Sequence, residues 1–304
     1  MRANAINDLG AAVRTGQRKG AAATPQVVSA GTSLREAVLA ARAAGDTVGL
    51  VPTMGALHEG HLSLVDAART ECDLTVVSIF VNPSQFSPQE DFARYPRDLD
   101  RDLSLLEEHG CDLVFAPAVE EMYRSGDTTT IDVGPLAEAL EGKSRPTHFR
   151  GVATVVMKLF QFAPAGYAYF GQKDYQQTLV VEQMVRDLAV PIEIRVCPTV
   201  REPDGLAMSS RNAYLSGGER RSAAQLSQSL RLAEQLVASG EHDVAAIRAK
   251  MEELLRRTDG VDLEYVAFVA DGTITPVTTI NGPTVVALAA KIGKTRLIDN
   301  LRIG

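Results

Sequence analysis

Apolar positions along this chain alternate between two rhythms: short, nearly continuous runs and stripes spaced three or four residues apart. Leu34, Val38 and Ala41 fall on one helical face, preceded by the capping-box pattern Ser33-Leu34-Arg35-Glu36 and stopped by Gly45. The run Val48 to Thr53 then reads as a buried strand, Leu62 to Glu71 as a helix, and Leu74 to Phe80 as a second buried strand. Leu99, Leu103 and Leu106 form another stripe, closed by Gly110, before a third strand at Leu113 to Phe115. The alternation continues with a helix near Gly151 to Phe162, a strand at Tyr167 to Phe170, a helix near Leu179 to Leu188 and a strand at Ile192 to Cys197. Strand-helix-strand order of this kind predicts an α/β fold, a doubly wound parallel sheet with right-handed crossovers and a ligand site at the carboxyl ends of its strands.

Beyond Pro198 the order changes. Leu226, Leu230, Ala233 and Val237 mark one helix and Ile247, Met251 and Leu254 another, followed by short strands at Leu263 to Val269, Val285 to Ala289 and Thr295 to Asn300. Helices followed by strands predict a smaller α+β domain. The expected division is a loosely ordered extension over 1–25, a sheet domain over 26–200 and a C-terminal domain over 201–304.

A chain of 304 residues is long enough for two cores. Its apolar runs are strand-length, too short to span a bilayer, and residues 1–25 contain no apolar stretch of signal-peptide length. The formal charge of -7 argues against nucleic acid as the main partner. Cys72, Cys111 and Cys197 are odd in number and widely spaced, which fits buried small hydrophobes in a reducing compartment better than a disulfide framework.

Chemistry concentrates where predicted strands end. After the first buried strand comes Pro52-Thr53-Met54-Gly55-Ala56-Leu57-His58-Glu59-Gly60-His61, a small-residue turn with two histidines at the mouth of a helix. Glycines permit close backbone approach, helix-start amides attract anions and imidazoles add donors, a combination suited to a nucleoside triphosphate. A helical zinc pair would space its histidines four apart, whereas His58 and His61 are three apart. A second strand end carries Phe170-Gly171-Gln172-Lys173-Asp174-Tyr175-Gln176-Gln177, where Lys173 offers a charge to phosphate and Asp174 an acceptor to ribose hydroxyls. Met208-Ser209-Ser210-Arg211 adds hydroxyls and a guanidinium. Either of these last two segments alone reads as an ordinary polar loop; three such loops with complementary chemistry point to a site.

Pro52 to His61, Phe80-Val81-Asn82-Pro83-Ser84-Gln85-Phe86, Arg145-Pro146-Thr147-His148-Phe149, the Lys173 segment and Met208 to Asn212 together resemble the pantothenate synthetase family over about residues 27–301. The resemblance implies ATP-dependent condensation of (R)-pantoate with β-alanine through an acyl adenylate, Mg²⁺ dependence, a cytoplasmic homodimer, and a Rossmann-like nucleotidyltransferase domain bearing a smaller lid. It also implies that ATP is bound by Met54, Gly55, Ala56, Leu57, His58, Glu59, Gly60, His61, Gly171, Gln172, Lys173, Asp174, Val200, Met208, Ser209, Ser210 and Arg211. Within that set His58, His61 and Lys173 are the expected catalytic residues, His61 as a proton donor; Gln85 and Gln177 are expected to hold pantoate, Gln85 also meeting β-alanine. The metal ligands stay unassigned. Asp98, Asp100 and Asp102 read as a solvated helix face with acids in its first turn, and Arg101 among them counts against a Mg²⁺ contact at Asp102. Three other functions remain open: a nucleotidyltransferase for a different small molecule, a class I aminoacyl-tRNA synthetase, and a catalytically silent nucleotide-binding regulator.

Overall fold

The structure is a computed structural model and describes residues 24–87 and 90–304. Apart from Thr24 and Pro25, the expected N-terminal extension lies outside the described residues.

Six strands form one wholly parallel sheet: β1 (Gln26–Val28), β2 (Val48–Thr53), β3 (Leu74–Ile79), β4 (Leu113–Phe115), β5 (Tyr167–Gly171) and β6 (Glu193–Cys197), in the order β1-β4-β3-β2-β5-β6. The longer helices of this half are α1 (Gly31–Ala43), α2 (Glu59–Glu71), α3 (Leu99–Glu108), α4 (His148–Phe162) and α5 (Tyr175–Asp187). Successive strand residues alternate between two faces, and both faces are covered. Leu50, Val76, Leu113 and Ala168 pack with α1, α4 and α5, while their neighbours Val51, Val77, Val114 and Tyr169 pack with Leu62, Val65 and Ala68 of α2 and Leu106 of α3. Burial on both sides explains why these strands are nearly continuous apolar runs.

The chain reverses direction across the sheet between β2 and β5, so a crevice opens at their carboxyl ends. The histidine turn follows β2 and the Lys173 segment follows β5. The topology alone therefore brings two of the three polar loops together.

A second, antiparallel sheet holds β7 (Val261–Ala270), β8 (Thr284–Ile292) and β9 (Thr295–Ile303), backed by α6 (Gly217–Ala238) and α7 (Val244–Arg256). An irregularity in register between Leu263 and Tyr265 leaves Glu264 as an extra residue on β7. Consecutive side chains there join one cluster: Glu264 accepts from Arg296 Nε at 3.0 Å, and Tyr265 donates to Glu141 at 2.8 Å. Arg296 also pairs with Glu141, which ties the second sheet to the first half of the chain.

Several local expectations need correction. The α1 helix starts at Gly31, so Ser33 lies inside it and caps nothing; the N-cap is Ala30, and the Gly31 amide donates instead to Glu121 Oε1 at 2.8 Å. A capping box does occur at Ser216 and Glu219, opening α6. Asp98 caps α3 as an acid should, but Asp102 is 1% exposed and not on a solvated face. Cys72 and Cys111 are buried, whereas Cys197 is only half-buried.

Candidate active site

The pocket in the β2/β5 crevice is lined by Met54, His58 and His61 from the first loop, Gly171, Lys173 and Asp174 from the second, and Met208, Ser209, Ser210 and Arg211 from the third. Val200, Gln85, Gln177 and Gly60 also line it. Gly55, Ala56, Leu57, Glu59 and Gln172 do not. Leu57 is buried in the core beneath α2, Glu59 is exposed, and the Gln172 carbonyl accepts from Asn300 Nδ2 at 3.0 Å.

The amides expected to approach phosphate are largely engaged within the protein. Gly55 N–H donates to Thr53 Oγ1 at 3.2 Å, and the N–H groups of Ala56 and Leu57 donate to Asp102 Oδ2 and Oδ1, both at 2.8 Å. His58 is the N-cap of α2, and its Nδ1 accepts from Gly60 N–H at 3.1 Å. A side chain at position 60 would have its Cβ 2.9 Å from the His58 ring, so only glycine lets the ring fold back this far. With Nδ1 accepting, the His58 proton sits on Nε2, the nitrogen left for a ligand. The two rings stand 4.1 Å apart, and His61 Nδ1 is buried without a hydrogen-bond partner among the described residues. Burial, followed by the charge of Lys173, lowers the His58 pKa to about 4. Burial, then His58 and Lys173, holds His61 well below the ordinary histidine range. Both rings are therefore neutral hydrogen-bond donors near pH 7 in the free protein.

Lys173 Nζ has Asp174 Oδ1 at 3.7 Å as its ion-pair partner and makes no hydrogen bond among the described residues. Arg211 is committed elsewhere: its Nε and Nη2 fork onto Asp91 at 3.0 and 2.9 Å. The Ser210 hydroxyl donates to Ala56 O at 3.1 Å, joining the third loop to the histidine turn.

Gln85 is 8% exposed and held at its carboxamide oxygen and its backbone carbonyl. Its carboxamide oxygen accepts from Asn82 Nδ2 at 2.9 Å, and its backbone carbonyl accepts from Arg145 Nη2 at 3.2 Å and from the His148 ring at 2.9 Å. The amide NH₂ of Gln85 is left for the pocket. The adjacent pair Gln176 and Gln177 divide their roles. Gln176 is buried and bonds Leu136 O, Ala139 O and Glu141 N–H, whereas Gln177 faces the pocket from the first turn of α5.

A family model described as Pantoate-beta-alanine ligase matches residues 26–302. The chain belongs to the pantoate-beta-alanine ligase family. Among its relatives, the pantothenate synthetase of Moorella thermoacetica is 55% identical over 269 residues, covering 88% of this chain and 95% of the relative. That of Acetivibrio thermocellus is 52% identical over 276 residues, covering 91% and 98%. Pantothenate synthetase from Thermus thermophilus superposes with a TM-score of 0.86 at 48% identity, over 91% of this chain and 98% of that one. The Francisella tularensis pantoate-beta-alanine ligase, solved with beta-gamma ATP and beta-alanine, superposes with a TM-score of 0.75 at 34% identity, over 91% and 97%.

Within this member of the pantoate-beta-alanine ligase family, some residues that build the site carried no motif signal of their own. Asp102 bonds the histidine turn from α3, Asn82 orients Gln85, and Asn300 of β9 donates to both Gln172 O and Lys173 O, at 3.0 and 2.9 Å. Asn82 lies in the Phe80 to Phe86 segment, but its 1% exposure and its bonds to Gln85, Gly151 O and Tyr123 emerge only in the folded chain. Asn300 is 127 residues from Lys173, a pairing that no local pattern signals.

Proposed function

We propose that this protein condenses (R)-pantoate with β-alanine, using ATP to form a pantoyl adenylate and releasing AMP and pyrophosphate. The observation that carries this is the convergence of His58, His61, Lys173, Gln85 and Gln177 on one pocket at the sheet's switch point, in a chain of this family. A carboxylate is a poor acyl donor because its charge repels an amine and oxide leaves badly. Attack of the pantoate carboxylate oxygen on the α-phosphorus of ATP expels pyrophosphate, and AMP then becomes the leaving group when the neutral amine of β-alanine attacks the acyl carbon.

Negative charge grows on the departing phosphates in the first step. Lys173, with no hydrogen bond among the described residues, and the neutral imidazoles of His58 and His61 are the groups placed to meet it. As a proton donor, His61 acts only once anionic phosphates have raised its pKa. Gln85 and Gln177 offer amides to the pantoate hydroxyl and carboxylate without adding repulsive charge. Arg145 and His148 place Gln85 through its carbonyl. Arg211 becomes a phosphate ligand only by exchanging Asp91 for the nucleotide, and its loop with β7–β9 acts as the lid.

Mg²⁺ fits as the companion of ATP. Asp102 has both oxygens on amides and is not free to meet the ion, which would sit on phosphate oxygens and water. Bound there, it would neutralise phosphate charge. A cytoplasmic homodimer is part of the same proposal, and the edge strand β6, with Val196 41% exposed, is a surface that pairing would cover; sedimentation at working concentration measures it.

The test of the function is to follow AMP and pantothenate together. AMP and pantothenate in equal amounts, only when ATP, pantoate and β-alanine are all present, is the expected outcome. Pantoate-independent AMP formation, or none at all, would remove this assignment.

A further inference from the structure

Resting on the function proposed above, we propose that Asp102, assisted by Arg101, is the positioning residue of the histidine turn: its carboxylate sets where His58 and His61 stand. The turn cannot hold its own shape. Gly55 and Ala56 are both left-handed, with φ of 77° and 51°, and an alanine does not keep that conformation unless its surroundings impose it. Two successive left-handed residues swing the next two amides to one side, and those amides, of Ala56 and Leu57, converge on Asp102 at 2.8 Å each. Convergent backbone amides form an anion cradle, and here the anion is a side chain of α3. Gly55 makes the approach possible, since a Cβ there would stand 3.0 Å from Asp102 Oδ2.

Neighbouring groups lock the same peptides. Arg101 Nη1 donates to Leu57 O at 3.0 Å and lies 3.6 Å from Asp102 Oδ1, while Ser210 takes Ala56 O. Leu57 is 1% exposed in the core, and the next residue, His58, caps α2 and stacks on His61. From Asp102 to His61 the chain of contacts is unbroken. Asp102 itself does not line the pocket, so its influence on the reaction passes through the turn. An asparagine could not replace it, because one of the two amides would then face an NH₂ group in place of an acceptor.

Asp102→Asn keeps the size and removes one acceptor. Misplacing a catalytic group by about 1 Å costs on the order of 10²-fold in rate, so pantoate-dependent pyrophosphate release is expected to fall at least about tenfold in kcat, with the KM for β-alanine changed less than about twofold. Histidine-selective NMR of the intact, substrate-free protein supplies a readout independent of what the substrate is. The His58 and His61 signals are expected to move, while His109, which ends α3, and His242, in the C-terminal part, keep theirs. Unchanged His58 and His61 signals would overturn the proposal, and so would a shift of all these histidines together, which would mark general loss of packing. Should Asp102→Asn fail to fold, Arg101→Met, at a half-exposed side chain, is expected to move the His58 signal and lower kcat about two- to fivefold; no movement there would equally overturn it. If the wild-type protein did not turn over pantoate, the function would be wrong, but the histidine signals would still decide the role of Asp102.

Discussion

Two polar assemblies lie on either side of the Lys173 loop, and they are satisfied in opposite ways. In the cluster between the halves of the chain, Arg296 bonds the carboxylates of both Glu141 and Glu264, Tyr265 donates to Glu141, and Ser144 adds a contact to Glu264 at 3.4 Å. Among the described residues, the pocket leaves His61 Nδ1 buried without a partner and Lys173 with one loose ion pair at 3.7 Å. Burying polar groups costs free energy in both places. The first assembly holds structure; in the second, the missing partners are expected to come with a ligand.

The sharpest way to break this comparison is Arg296→Met, which strands the Glu141 carboxylate in a buried site and is expected to cost about 3–5 kcal/mol. Urea denaturation measures it, and a midpoint near wild type would mean the cluster is not structural. His61→Ala is the converse: about 10²-fold or more lost in the rate of adenylate formation, roughly 2.7 kcal/mol or more, with the denaturation midpoint held or raised. Pre-steady-state pyrophosphate release at the normal rate would put the catalytic donor elsewhere.

Gln85→Ala and Gln177→Ala sit between these extremes. Each is expected to weaken pantoate binding by about 1–3 kcal/mol and leave ATP binding intact. Calorimetry showing the reverse would redraw the pocket.

A further effect is on pH dependence. Burial, then the charge of Arg145, lowers the His148 pKa to about 4, and His58 lies near the same value. Unfolded, both return to about 6.5, so between about pH 6.5 and 4 the unfolded chain binds protons that the native protein refuses. Stability is therefore complete above about pH 6.5 and falls as the pH drops, by about 1.4 kcal/mol per unit for each ring inside the window. His148→Asn is expected to flatten this slope by one ring's share, read from urea midpoints between about pH 7 and 5; an unchanged slope would show that other groups carry it.

The doubly wound sheet was legible because its central strands are buried on both faces and its helices carry clear stripes. Strand β1 was not, since a three-residue edge strand gives no periodicity to read. The Ser33 capping box misled because the amide at Gly31 found its acceptor, Glu121, 90 residues away. The site's loops were legible from their residue types, but their working geometry was not. Asp102 looks like any first-turn acid until its helix is packed against the turn, and Arg211 looks like a phosphate ligand until Asp91 is seen in its fork.

Asn300, in the last strand, donates to the carbonyls of Gln172 and Lys173, and that has a bearing on how the protein is made. Synthesis runs from the N-terminus and domains tend to fold as they emerge, so the parallel sheet and its two histidines are complete long before β9 exists. Until then the Lys173 loop lacks its two hydrogen bonds from Asn300, and Arg296 has yet to reach Glu141. A chain ending at Ile292 is accordingly expected to fold its first sheet and yet form no adenylate; turnover by such a fragment would contradict this. On that expectation, a chain terminated before β9 does not consume ATP.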